Sequence, residues 1–200
     1  MPLYEETSVK IDGGIVVWDG IKSPETVTPK TGDPFVKYTL KIVVPPESPD
    51  LPILDQIGRD CLLASPFKGQ LPAGGHWLMK QVGPNEFNGL FPGWWCVNGI
   101  TFQTPQVFDE QGNLLDPMRY GPILYTGQKV NMLVSAKDYN DVSKGVKAQL
   151  EGFQIITSAN AQPISIGGSA NAAGAFGGGG APQQAPAQQQ PAAGYGAPQQ

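Results

Sequence analysis

Two runs in the second half of the chain alternate apolar and polar residues with a period of two, and they constrain the fold more than any other feature. In the first, Val130, Met132, Val134 and Ala136 alternate with Asn131, Leu133, Ser135 and Lys137. In the second, Val146, Ala148 and Leu150 alternate with Lys147, Gln149 and Glu151. Side chains two apart on a strand share a face, so each run is a strand with one apolar side. Residues 138–145 (DYNDVSKG) are rich in turn formers and join the two into a hairpin. Gly152 interrupts the second run as a glycine does at a bulge. The polar face of this hairpin carries Lys137, Tyr139, Lys144 and Lys147.

Residues 35–44 repeat the same chemistry. Val36, Tyr38, Leu40 and Ile42 point one way, and Phe35, Lys37, Thr39 and Lys41 the other, until Pro45 and Pro46 end the strand. A shorter strand is expected over 11–18, followed by a loop over 19–34 that holds Pro24, Pro29, Gly32 and Pro34. Leu51, Leu54, Ile57, Cys61 and Leu62 recur at helical spacing, which predicts a helix from an N-cap at Asp50 to Ala64. Its outer side, with Asp55, Arg59 and Asp60, reads as an ordinary solvated face. Residues 67–93 read as a long loop with one short strand over 76–82, and residues 94–102 as a strand that puts Trp94 and Trp95 on opposite faces. Residues 105–125 are turn-rich: Pro117 and Pro122 forbid a central strand, and Asp109, Glu110 and Asp116 read as solubilising. Five or so strands, one helix and loops of uneven length imply a mainly β chain, an OB-fold-like five-stranded β-barrel with one capping helix.

Composition divides the chain. No Asp, Glu, Lys or Arg follows Glu151, and from Gly167 onward the sequence is almost entirely Gly, Ala, Pro and Gln. So little apolar surface cannot offset the entropy of ordering, so residues 167–200 are expected to be a disordered tail and residues 1–166 one domain. The net charge of −4 argues at first against a polyanionic partner. Its distribution does not. Residues 1–118 carry 8 basic and 14 acidic side chains, whereas in 119–147 Arg119, Lys129, Lys137, Lys144 and Lys147 stand against only Asp138 and Asp141. On charge alone, a lysine-rich solvated face remains the simpler account.

Several function classes drop out. Cys61 and Cys96 lie among apolar neighbours and are expected to be buried free thiols, in keeping with a cytosolic setting. The N-terminal residues MPLYEETSVK have no basic segment followed by an apolar one, and no apolar run approaches the roughly 18 residues of a membrane-spanning helix. One His and two distant Cys offer no metal-ligand spacing, and no GxSxG, HExxH or P-loop string occurs. His76 beside Trp77 has no identifiable catalytic partner. No catalytic group, metal site or cofactor is therefore expected, and a nuclease reading lacks its carboxylates.

What remains is a binding surface. Two separate strands present lysines beside an aromatic ring, and such faces suit an unpaired nucleic-acid strand, whose bases stack on rings while its phosphates meet ammonium groups. Core burial is the commoner fate of any one aromatic residue. The candidates for DNA contact are Phe35, Lys37, Lys41, Trp77, Lys80, Trp95, Arg119, Lys137, Tyr139, Lys144 and Lys147.

Four stretches, in order, carry a family likeness: the KYTLKIVVPP strand, the helix after it, the PQVFDEQGNLLDP turn leading into YTGQKVNMLVSAKDYN, and KGVKAQLEGFQII before a Pro and Gly-Gly. The chain resembles the single-stranded DNA-binding proteins of tailed-phage replication modules that have an OB-fold. The resemblance implies sequence-independent binding and protection of single-stranded DNA during phage replication or recombination, in the host cytoplasm, with replication or recombination proteins as partners. It also implies that Lys37, Lys41, Lys137, Lys144 and Lys147 line the strand path. Many such proteins end in an acidic tip that recruits replication enzymes. This tail has no charge, and its Gln- and Gly-rich composition points instead to self-association. Since fold does not fix function, the competing expectation is a non-enzymatic phage virion or assembly protein on the same barrel.

Overall fold

The computed structural model describes residues 8–29, 32–140, 144–159 and 161–166. Strand β1 (Ser8–Val27) pairs antiparallel with β2 (Phe35–Val44) along one edge. On its other edge β1 pairs with the strand Lys129–Asn140, which is β6 in chain order. β2 continues to β4 (Trp95–Thr101), and β6 to β7 (Lys144–Ile155), again antiparallel. A short parallel contact closes the circuit, with Gly99 of β4 opposite Ala148 of β7 and Ile100 opposite Gln149. The expected five-stranded OB-type barrel is therefore present, in the order β1–β2–β4–β7–β6. Two three-residue strands extend its rims: β3 (Met79–Gln81) beside β4, and β5 (Gln106–Phe108) parallel to β7.

Period-two alternation becomes an inside and an outside. Leu40 and Ile42 of β2, Val130, Met132 and Val134 of β6, and Val146, Ala148 and Leu150 of β7 are all buried, and with Ile11, Val16 and Val97 they fill the barrel. Helix α1 (Asp50–Ala64) packs against β1, β6 and β7 through Leu51, Leu54, Gly58 and Leu62, with Ile57 and Cys61 half-buried beside them. Both cysteines are free thiols. Pairing slips by one residue at Glu151, where Leu133 faces Gly152 and Val134 faces Leu150, so the glycine does border a bulge.

Four sequence expectations change. β1 runs to Val27 rather than ending at Trp18, and Pro24 falls in a register shift between Gly20 and Glu25, where its missing N–H costs no ladder bond. Pro49, not Asp50, holds the N-cap position of α1; the Asp50 carboxylate instead accepts the Asp12 N–H at 2.9 Å and ties the helix to β1. Pro117 opens a second, short helix, α2 (Pro117–Tyr120), as proline does at a first helical position, with the Asp116 carboxylate accepting the Arg119 N–H at 3.1 Å. Asp109 and Glu110 are likewise more than solubilising. Asp109 accepts from the backbone of Gln111 and Asn113, and Glu110 accepts the Ser158 N–H beyond β7.

The hairpin tip at 141–143 and the tail expected over 167–200 lie outside the described residues. Among those described, no helix is long and apolar enough to cross a membrane.

Candidate nucleic-acid interface

The outer face of the barrel holds a large depression, an open trough of about 1130 Å³. Its floor is built by alternation. On β2, Lys37 and Lys41 project outward because Leu40 and Ile42 project inward. On β4, Cys96, Asn98 and Ile100 do the same, and Lys41 pairs directly with Asn98. Phe35 and Phe102 close one end, edge to face at 5.1 Å between ring centres.

One wall is the β6–β7 arm, which contributes Tyr139 and Lys147 from a single face. Residues 75–80 and Phe87 form the other wall. Two backbone bonds pin this second wall to the arm: the His76 N–H donates to the Lys144 carbonyl at 2.9 Å, and the Val146 N–H to the His76 carbonyl at 3.0 Å. Gly145 permits the contact. Its φ is +142°, and a Cβ there would overlap the His76 carbonyl.

The lysines differ in what holds them. Lys37 is ion-paired with Glu25 at 2.5 Å and Lys80 with Glu86 at 2.5 Å. The hydrogen bond from Lys80, followed by the Gly83 N–H, keeps the Glu86 carboxyl below its ordinary range. Lys41 and Lys147 instead lie against rings: the Lys147 ammonium is 4.5 Å from the centre of Phe102, and the Lys41 ammonium 5.8 Å from that of Trp18. Burial, then the charge of Lys137 across the arm, lowers the pKa of Lys147. Burial pushes the Cys96 thiol in the floor up to about 11, which leaves it an unreactive neutral group at neutral pH.

Of the residues singled out from sequence, Phe35, Lys37, Lys41, Trp77, Lys80, Tyr139 and Lys147 come together in this trough. Trp77 does so while its indole N–H donates to the Asp55 carboxylate at 3.1 Å, so the outer side of α1 is not purely solvated: half-buried Asp55 holds both Trp77 and Arg59. Lys137 sits on the arm opposite Lys147, but Lys144 pairs with Asn140 near the tip and so falls on the other face from Lys137, Tyr139 and Lys147, against the sequence expectation; neither lysine lines the trough. Two candidates lie elsewhere. Trp95 alternates with Cys96 and so packs against the barrel core. Arg119 sits on α2, after β5, which pairs with the far end of β7. Phe102 escaped the sequence reading although the alternation 98, 100, 102 marks it, and it is 47% exposed. Among the described residues, no cluster of His, Cys, Asp or Glu offers a metal site.

No protein-family model and no curated protein matches the sequence. Solved structures do match. The single-stranded DNA-binding protein from bacteriophage Enc34 in complex with ssDNA is 16% identical and superimposes with a TM-score of 0.64, over 76% of this chain and 88% of that one. A C-terminal truncation of the Enc34 protein gives 15% and 0.63, over 77% and 88%. For gp2.5, a single-stranded DNA-binding protein encoded by bacteriophage T7, the values are 14% and 0.52, over 82% and 96%. The chain has the fold of these phage single-stranded DNA-binding proteins.

Proposed function

We propose that this protein binds single-stranded DNA without sequence preference and shields it during phage DNA replication or recombination. The supporting observation is the trough itself, which sets Phe35, Lys37 and Lys41 of β2 opposite Tyr139 and Lys147 of the β6–β7 arm. OB barrels take oligonucleotides on the face of their second and third strands, flanked by the loops after strands one and four. Here those strands are β2 and β4, and the second of those flanking elements is the arm.

The chemistry fits an unpaired strand. Each base stacked on a ring contributes about 1–3 kcal/mol, and every base has a π-face, so rings confer affinity without sequence choice. The lysines supply phosphate attraction that weakens as salt rises. A duplex hides its base faces in the stack and leaves the rings nothing to meet. Lys137, beside Lys147, extends the basic surface along the arm beyond the trough, and Lys144 adds charge at the tip on the arm's other face. The Enc34 protein, solved with ssDNA, supports the same use of the fold. On this reading the protein works in the host cytoplasm beside replication or recombination proteins.

A mobility-shift titration tests it by comparing oligo-dT with a duplex of equal length. Preferential retardation of the single strand is expected, and equal or stronger retardation of the duplex refutes the proposal. Replacing Lys137, Lys144 and Lys147 together with Glu should leave a folded protein without affinity. Retained affinity in that variant moves the site off the arm.

A further inference from the structure

Trp18 was unremarked in the sequence, yet it is 57% exposed while Trp77, Trp94 and Trp95 are half-buried. A bulge puts it there. Val16 pairs with Ile42 and Trp18 with Lys41, so Val17 is an extra residue on β1. In a regular strand residues 16 and 18 share a face, and Val16 lies wholly in the core. The extra residue turns Trp18 out beside Lys41 instead.

The ring is also seated. A Cβ on Gly20 would come 3.3 Å from the Trp18 Nε1 and 3.0 Å from the Thr39 carbonyl oxygen, so a larger residue there would crowd the indole. Beside it lies a second hollow of about 330 Å³, at the small end of ligand-sized pockets, whose lining includes Trp18, the acid Asp19, Lys22, Tyr125, Thr126 and Ile166. The Lys22 ammonium donates to the Leu124 carbonyl at 2.5 Å and lies 3.1 Å from the Asp19 carboxylate, which is itself 8% exposed. Among the described residues, those two contacts leave one N–H of Lys22 for a ligand.

We propose that this hollow is a second subsite for single-stranded DNA, in which a nucleobase stacks on Trp18 after the strand leaves the main trough. Lys41 stands at the junction, since it both lines the trough and lies over the Trp18 ring. An intervening phosphate meets Lys41, and Lys22 meets the next. The inference rests on the single-strand reading of the trough and extends its footprint across β1.

The test uses the full chain and fluorescence anisotropy with labelled oligo-dT from about 4 to about 16 nucleotides, the range of footprints on one OB barrel. Trp18→Ala should melt like the wild type. It should bind the shortest oligomers normally and lose about 5- to 150-fold on the longer ones, the loss of one stacked base. Trp18→Phe, which keeps a ring, should restore most of that affinity. It should also lack the part of the tryptophan quench that the wild type shows only with longer oligomers. Equal affinity of Trp18→Ala and wild type at every length overturns the subsite and leaves the trough intact. A loss of equal size at every length overturns the placement of Trp18 beyond the trough. A wild type that binds no oligomer overturns both readings together.

Discussion

Removing two carboxylates should make this protein bind single-stranded DNA more tightly. Lys37 and Lys80 line the trough but face Glu25 and Glu86, whereas Lys41 and Lys147 lie against rings. A phosphate that approaches Lys80 must compete with a carboxylate already at 2.5 Å. Exposed pairs of this kind contribute about 0.2–1 kcal/mol, so Glu86→Gln should raise affinity by roughly 1.4- to 5-fold, and Glu25→Gln by a similar factor. The salt dependence gives an independent count. Each phosphate neutralised on a single strand adds about −0.7 to the slope of log K against log salt. With only Lys41 and Lys147 engaged the slope is near −1.4, and with Lys37 and Lys80 as well it approaches −2.8, before any contribution from Lys137 or Lys144. The double variant Glu25→Gln/Glu86→Gln should therefore show both a higher affinity and a steeper slope in anisotropy titrations across a salt series. Affinity and slope identical to wild type would refute the idea that Lys37 and Lys80 reach phosphate.

Three further outcomes follow from the same geometry. Gly145→Ala should destabilise the fold by about 1–3 kcal/mol in urea titration, because it breaks the two backbone bonds that hold His76 to the arm; an unchanged midpoint would show that the contact is dispensable. Phe102→Ala removes the ring that meets both Phe35 and Lys147, so affinity for oligo-dT should fall by about 5- to 150-fold with little change in melting. Lys147 titrates below an ordinary lysine, and phosphate favours its charged form, so binding there takes up a proton and wild-type affinity should decline as pH rises through that lowered pKa. Lys147→Arg keeps its charge and should keep its affinity across the same alkaline titration; parallel decline of both proteins would exclude Lys147 as the group responsible.

Where the chain is regular, its faces were legible. Alternation alone assigned Lys37 and Lys41 outward against Leu40 and Ile42, and set Lys137, Tyr139 and Lys147 on one side of the arm; it set Lys144 there too, but pairing with Asn140 puts Lys144 on the other side. It could not assign Trp18, because one extra residue at Val17 inverts the side chains from there to the next register shift after Gly20, and nothing local announces that insertion. Nor could it choose between Trp94 and Trp95, since two adjacent residues on a strand always point opposite ways; the pairing of Trp95 with Val44 and Gln81 makes that choice. The second wall was legible only as a long loop, because what orders it is non-local: β3 borrows the edge of β4, and His76 borrows that of the arm. Proline signals misled at Pro24, which lies within a strand, but not at Pro117 and Pro122, which do lie outside the strands. Pro24 in a register shift and Pro117 at a helix start are both compatible with structure that a proline inside a ladder would prevent.

The negative net charge is reconciled with a polyanionic ligand by where the acids are spent. Asp109, Glu110 and Asp116 cap turns and a helix around β5 and α2, and Asp50 and Asp55 anchor α1 to β1 and to Trp77. Charges farther apart than the Debye length of about 8 Å in physiological salt barely sense one another, so a strand in the trough responds to its local lining rather than to the sum of −4. That lining contains four lysines and Glu86, and Glu25 reaches it through Lys37. On the proposed function those two glutamates are the acids placed to compete with phosphate in the trough, and the Glu25→Gln/Glu86→Gln variant measures by how much.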